Sequence, residues 1–256
     1  MNIVVTGGTK GLGLALANQF SKDHRVILIS RTTIENGQPN DNILHFKGDV
    51  TNIDSLVSIK KTLANSGITV DCLVNNAGLT EIAAPFRPPF LGNQWREIIA
   101  TNIYGPLNMI EVFLDDLIKS KNGTIINMSS LLAHFPTGFF SVYSSSKAFM
   151  SFFSQTLSRM KNKADIRIVE VILPMLDTDM SKNIELKNVK KMSPAVAARE
   201  IIRGLNSSKN QILVGDARLL ITLQKFIPRL LQKQFDRLSN DYIQTMEIMN
   251  NNSPHA

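Results

Sequence analysis

The first 175 residues alternate between two hydrophobic periods, and this alternation limits the fold more than any other feature. Short apolar runs that read as buried strands occur at 3–5, 26–29, 43–46, 70–74, 124–128 and 166–173. Between most of them apolar side chains recur at helical spacing, as in Leu12, Leu16 and Phe20, then Ile53, Leu56, Ile59 and Leu63. Strands that alternate with helices of that length are joined by right-handed crossovers. They make a parallel sheet covered on both faces. No repeat, low-complexity tract or Gly/Ser linker interrupts the series, so the chain reads as α/β with a single doubly wound domain.

Two stretches depart from the pattern. Residues 84–90, with three prolines, suit neither a helix nor an inner strand and read as a loop. From Asp216 to Leu238 the chain carries Leu219, Leu220, Leu223, Phe226, Ile227, Leu230, Leu231, Phe235 and Leu238, with Arg218, Lys225, Arg229, Lys233 and Arg237 interleaved. That is an amphipathic helical stripe. Pro228 falls in its middle and points to two shorter helices with a kink near Ile227. The expected layout is a cofactor-binding and catalytic unit over 1–215, a helical extension over 216–250 packed on it, and a frayed tail over 251–256. The stripe reads as a core-packing or oligomer-forming helix. The sharper readings are a lid over an apolar substrate or a helix on an anionic membrane surface.

Composition narrows the class further. With 43% hydrophobic and 19% charged residues, the 256-residue chain is an ordinary globular protein, not a disordered or fibrous one. One cysteine, Cys72, rules out a disulfide framework and a thiolate metal cluster. His24, His45, His134 and His255 lie far apart in sequence, so no metal site is expected. The net charge of +7 favours anionic partners, but the excess is diffuse until the last third, which argues against nucleic acid. A strand pattern beginning at Ile3 leaves no basic leader, and no apolar run approaches ~18 residues. The expectation is a cytoplasmic protein without a membrane span.

Thr6-Gly7-Gly8-Thr9-Lys10-Gly11-Leu12-Gly13 follows the first strand and opens the first helix. A glycine-rich turn there lets backbone N–H groups approach a pyrophosphate, which the helix N-terminus stabilises. At the tip of the second strand the chain reads Ile29-Ser30-Arg31-Thr32, without the carboxylate that would accept ribose hydroxyls. Arg31, with Lys10 in the glycine turn, could pair with a ribose 2′-phosphate. That favours NADP over NAD.

Further along, Ser129-Ser130 precedes Tyr143-Ser144-Ser145-Ser146-Lys147. Tyrosine and lysine at i, i+4 share a helix face. A free phenol has a pKa near 10, so acid–base work near neutrality calls for a neighbouring positive charge. Ser130, at the end of the fifth strand, could hold a substrate oxygen.

In this order and spacing the residues resemble the short-chain dehydrogenase/reductase family from Met1 to about Leu205. The matching pieces are the glycine turn ending at Gly13, Asp49-Val50, Asn75-Asn76-Ala77-Gly78, Thr101-Asn102, Ser130, and Tyr143 with Lys147. The resemblance implies a Rossmann fold of about seven parallel strands with helices on both faces. It implies four working residues. Asn102 would bend its helix and hold a relay water, Ser130 would polarise the carbonyl, Tyr143 would donate the proton, and Lys147 would lower the tyrosine pKa and grip the nicotinamide ribose. Gly7, Thr9, Lys10, Gly11, Leu12 and Gly13 would lie along the cofactor, with Arg31 at its 2′-phosphate, Asp49 and Val50 at the adenine and Asn76 at the adenosine side. Leu176 and Thr178 would meet the carboxamide. A homodimer or homotetramer is implied, pairing through the helices that carry Asn102 and Tyr143.

The chain also departs from the family. Leu173-Pro174 stands where most members place Pro-Gly, and the glycine-rich ending after the seventh strand gives way to the basic stripe. The stretch Leu131–Phe140 is apolar and aromatic and, in this family, borders the substrate. An apolar ketone, aldehyde or acyl compound is therefore expected. His134 reads as a satisfied loop histidine, and Cys72 as core. The expected activity is NADP(H)-dependent interconversion of a carbonyl and an alcohol. The alternative is a non-catalytic NADP(H) sensor that docks on a membrane or partner.

Overall fold

The structure, a computed structural model, describes residues 1–33, 41–82, 93–160, 166–186 and 188–252. The proline-rich stretch at 84–90 and the last four residues of the expected tail lie outside these. Seven strands form one parallel sheet: β1 (Asn2–Thr6), β2 (Arg25–Ser30), β3 (Ile43–Lys47), β4 (Cys72–Asn75), β5 (Thr124–Ser130), β6 (Arg167–Leu173) and β7 (Gln211–Leu213). Their order is β3-β2-β1-β4-β5-β6-β7, and every pairing is parallel. The direction of winding reverses between β1 and β4. A crevice must open there beyond the carboxyl ends of the strands.

Side chains of each strand alternate between two cores. Ile3, Val5, Val26 and Leu28 pack against α1 (Gly11–Phe20) and α6 (Pro194–Leu205), through Leu16, Ala17, Ala198 and Ile201. Val4, Ile27 and Ile29 face the other way, against α2 (Ile53–Asn65) and α4 (Gly105–Lys119), through Leu56, Leu63, Met109 and Phe113. Each strand is thus sandwiched, which is why it reads as a continuous apolar run. Asn52 starts α2 by accepting a 3.0 Å hydrogen bond from the Ser55 amide. The fourth strand begins at Cys72, two residues later than the apolar run. The Cys72 thiol is buried in it, and burial pushes its pKa up to about 12.

The amphipathic stripe forms α7 (Ala217–Gln224) and α8 (Pro228–Asn252), with the break at residues 225–227. Pro228 lacks an N–H, and at the first position of α8 none is needed. The second helix is not short. It runs 25 residues and passes the expected end at 250. Ile221, Leu231 and half-buried Phe235 pack on Leu131 and Phe135, while Tyr242 packs on Phe139 and Phe140. The Phe135 and Phe235 rings stack 4.3 Å apart and 6° from parallel. The apolar stretch after β5 and the C-terminal helices therefore make one structure.

Candidate active site

The turn after β1 is shaped by glycines. Gly7 and Gly11 sit at φ +65° and +56°, in the left-handed region that favours glycine. A Cβ on Gly13 would come 2.3 Å from the Gly7 carbonyl and 2.7 Å from Asn76 Nδ2, so the first turn of α1 closes on the loop without room for a side chain. Asn76, just past β4, donates from Nδ2 to the carbonyls of Thr6 (2.9 Å) and Gly7 (3.2 Å). Thr6 Oγ1 accepts from the amides of Asn76 and Ala77, both at 3.0 Å. Thr6 thereby clamps the two strand ends at the switch point, a role its place ahead of the glycines did not advertise.

The crevice above this turn has a volume of about 1050 Å³ and extends to the C-terminal helices. At one end lie Thr9, Lys10, Arg31, Asp49 and Val50, and at the other Ser130, Tyr143, Lys147, Leu176 and Thr178. Arg31 is exposed at the tip of β2. Beside it Thr32 Oγ1 meets Thr9 Oγ1 at 3.1 Å. Lys10 is engaged otherwise than the sequence suggested. Its Nζ is 2.7 Å from Asp179 Oδ2, an exposed ion pair that joins the glycine turn to the loop after β6, and the ammonium holds the Asp179 carboxyl below the usual range. Asp49 Oδ1 accepts from the amide and hydroxyl of Thr51, which fixes the turn before α2. Val50 is buried against Gly105, where a Cβ would lie 2.7 Å from Val50 Cγ2.

Asn102 lies in a π-helical turn, Ala100–Tyr104, between α3 (Trp95–Ile99) and α4. Such a bulge inserts a residue into the helix and redirects its side chain. Buried Asn102 accepts from the Leu79 amide at 2.8 Å and donates to the Leu79 carbonyl and the Ser146 hydroxyl, each at 2.9 Å. Ser146, which holds Asn102 in place, was not singled out in the sequence, where it sits in a run of three serines on α5 (Ser141–Arg159). A Cβ on Gly78 would touch Asn102 Oδ1 at 3.4 Å and Lys147 Nζ at 3.6 Å, so the two converge on one small space.

Ser130 ends β5; its hydroxyl accepts from the Leu132 amide at 3.2 Å and faces the Tyr143 phenol, whose pKa it pulls down. One turn along α5, Lys147 Nζ lies 5.8 Å from the Tyr143 ring centre and donates to the Met128 carbonyl at 2.9 Å. Burial acts on both groups. It lowers Lys147 to about 8 and raises Tyr143 above its ordinary value, against the smaller opposing effect of Ser130. The expected lowering of the phenol is therefore not supplied by the chain alone, because desolvation outweighs an ammonium that sits against a carbonyl.

The loop after β6 resolves the Leu173-Pro174 departure. Leu176 bridges to Met192, with Asp177 N donating to the Met192 carbonyl (2.8 Å) and Met192 N to the Met175 carbonyl (2.9 Å). Thr178 then caps a short 3-10 turn through Ser181, with its methyl beside Gly11. His134 does not line the crevice and is not satisfied. Its Nε2 is buried with no partner among the described residues, and burial lowers its pKa. Among those residues no group of three or more His, Cys, Asp or Glu could hold a metal, and no helix is long and apolar enough to cross a membrane.

A doubly wound sheet with a glycine turn at its switch point and a Ser–Tyr–Lys set at the far end of the same crevice defines a nucleotide-binding oxidoreductase scaffold. The family model for short chain dehydrogenase matches residues 1–189, and the chain belongs to that family. It is 32% identical to a serine 3-dehydrogenase of Agrobacterium fabrum over 70% of this chain and 73% of the relative. It is 31% identical to a very-long-chain 3-oxoacyl-CoA reductase of Macaca fascicularis over 82% of this chain and 71% of the relative. A short chain dehydrogenase of Burkholderia cenocepacia in complex with NADP superposes with a TM-score of 0.79 at 21% identity, covering 91% of this chain and 96% of that one.

Proposed function

We propose that this chain is a cytoplasmic, NADPH-dependent reductase of apolar carbonyl compounds, with Ser130, Tyr143, Lys147 and Asn102 as its working set. The observation that carries the reading is that Ser130, Tyr143 and Lys147 line one end of a crevice that begins at the glycine turn, with Lys147 one turn of α5 beyond Tyr143. The residues fit a nicotinamide dinucleotide. The glycine turn packs so closely that Gly13 has no room for a Cβ, which keeps the start of α1 close against the loop, and Arg31 offers an exposed cation where a 2′-phosphate would lie. A single buried cysteine suits a reducing compartment.

The cofactor, when bound, supplies the hydride. Ser130 and Tyr143 together hold the carbonyl oxygen by two hydrogen bonds, which stabilise the negative charge that develops on it. A phenol kept above its ordinary pKa is fully protonated at neutral pH, so Tyr143 is charged with a proton to give to the nascent alkoxide. Lys147 places a positive charge beside the phenolate left behind, and Asn102, through Ser146 and Leu79, holds the bulge that lets both groups face Gly78.

The substrate end of the crevice is apolar. Leu132, Phe139, Met175, Ile184, Leu220 and Phe235 line it, with Thr137 Oγ1 buried and unpartnered among the described residues. An acyl chain or other apolar ketone suits these walls, and the 3-oxoacyl-CoA reductase relative points the same way. Exposed Phe149 and Phe152 on α5, with Leu114 and Ile118 on α4, support a homodimer built on those two helices.

The test is oxidation of NADPH against NADH, followed by absorbance, over apolar ketones, aldehydes, quinones and 3-oxoacyl thioesters. Turnover with NADPH preferred is expected. Tight NADPH binding with no turnover across the panel would replace the enzyme by a sensor.

A further inference from the structure

The α7–α8 elbow presents an apolar tip that none of the described residues covers. Leu219 is 62% exposed, Phe226 77%, Ile227 38% and Leu230 59%. Leu219 lies on α7, Phe226 and Ile227 lie in the break that follows it, and Leu230 lies in the first turn of α8. The opposite side of the same segment is committed inward. Ile221 and Leu231 are buried, and Leu220, Phe235 and Leu238 line the crevice. Gln224 Nε2 and Gln232 Nε2 pin the elbow to the carbonyls of His134 (2.8 Å) and Pro136 (3.0 Å).

Charge distinguishes this tip from the exposed phenylalanines of α5. Between Ala217 and Phe235 there are four cations, Arg218, Lys225, Arg229 and Lys233, and no carboxylate. All four are exposed, and none has an ion-pair partner among the described residues. Apolar side chains ringed by unpaired cations suit a surface that is apolar inside and anionic outside, whereas a second copy of the same basic elbow would repel its partner. The elbow also lies beyond the region matched by the family model, which ends at residue 189.

We propose that the α7–α8 elbow docks the protein peripherally on an anionic lipid bilayer. Phe226, Ile227, Leu230 and Leu219 enter the headgroup boundary, and Lys225, Arg229, Arg218 and Lys233 bind lipid phosphates. Helices that wall the substrate end on their inner face would then rest on lipid with their outer face. The proposal stands whatever the carbonyl substrate is.

The experiment floats the full chain with vesicles of phosphatidylcholine alone and of phosphatidylcholine mixed with phosphatidylglycerol. Binding to the mixed vesicles, weakened by salt, is the expected result. The double variants Phe226→Ser with Leu230→Ser, and Lys225→Glu with Arg229→Glu, should each bind at least about tenfold more weakly. All four side chains are exposed, so unchanged melting temperatures are expected. Should the first pair fold poorly, the charge pair and the salt dependence decide. No flotation with anionic vesicles, equal flotation without them, or unaltered binding by the variants would overturn the proposal. So would a concentration-dependent mass without lipid that Phe226→Ser with Leu230→Ser abolishes, since the tip would then hold a second copy.

Discussion

Lys147 Nζ donates a 2.9 Å hydrogen bond to the carbonyl of Met128, two residues before Ser130 on β5. This bond ties α5 to the strand that carries the other half of the site, and it holds the amine where burial brings its pKa to about 8. The value sets a pH limit. Below it the lysine is charged, and above it the positive charge next to Tyr143 is lost. kcat/KM for NADPH reports groups of the free enzyme. It is expected to be level near pH 7 and to fall about tenfold per unit well above pH 8. A profile level to pH 9.5 would show that Lys147 keeps its proton.

The same burial has a cost in stability. Between pH 8 and the ordinary lysine value the unfolded chain binds a proton that the folded chain does not, so the contribution of Lys147 to stability rises with pH across that window. Lys147→Met removes this effect. The variant should be inactive yet more stable by about 2–3 kcal/mol at pH 7, an advantage that shrinks towards pH 10.5. Denaturant titrations at several pH values test this. An equal loss of stability at every pH would assign the lysine to packing instead.

Tyr143→Phe removes the proposed proton donor and leaves the ring among Phe140 and its neighbours. kcat should fall by about 10²–10⁴-fold or more, with NADPH affinity changed by less than twofold in a fluorescence titration. Turnover near the wild-type rate would take the phenol out of the reaction.

Cofactor preference divides between two cations that the structure treats differently. Arg31 is exposed and has no ion-pair partner among the described residues, while Lys10 is committed to Asp179. Arg31→Asp should therefore shift the NADPH/NADH ratio of kcat/KM by about ten- to a hundredfold towards NADH. Asp179→Asn releases Lys10 and should improve NADPH binding by about two- to fivefold, an effect erased by salt. If Asp179→Asn has no effect while Lys10→Ala weakens binding, Lys10 already abandons Asp179 for the phosphate.

The strands were legible because burial on both faces writes them as unbroken apolar runs, as in Val26–Ile29, and helices such as α2 because Leu56, Ile59 and Leu63 keep one face. The Tyr143/Lys147 spacing was legible for a similar reason, since a helix converts i, i+4 into proximity. What the sequence concealed depends on contacts between distant segments. The Lys10–Asp179 pair spans 169 residues, and the pairing of Asn102 with Ser146 spans 44. The rise of the Tyr143 pKa was equally hidden, because it reflects how deeply the phenol is buried, which the motif does not encode. Helix α8 passes the expected end at 250 by two residues, because the Asn250-Asn251-Asn252 run carries no apolar position to mark where it stops.

Phe235 tests whether the C-terminal extension belongs to the substrate site or merely to the fold. Its ring stacks on Phe135 and also lines the crevice, so Phe235→Ala removes a stacking partner and a wall together. The side chain is half-buried, and the stability loss should be about 2 kcal/mol, below the 3–5 kcal/mol of a fully buried phenylalanine. On function the effect should depend on the substrate. KM for long apolar ketones or acyl thioesters should rise several-fold as contact is lost, while short ketones, which do not reach the wall, keep theirs. The extension also holds Ile221 and Leu231 against Leu131, one residue from Ser130. Loss of kcat on every substrate would therefore show that Phe235 acts by positioning the β5 end, and a KM effect confined to long substrates would show that α8 is part of the pocket.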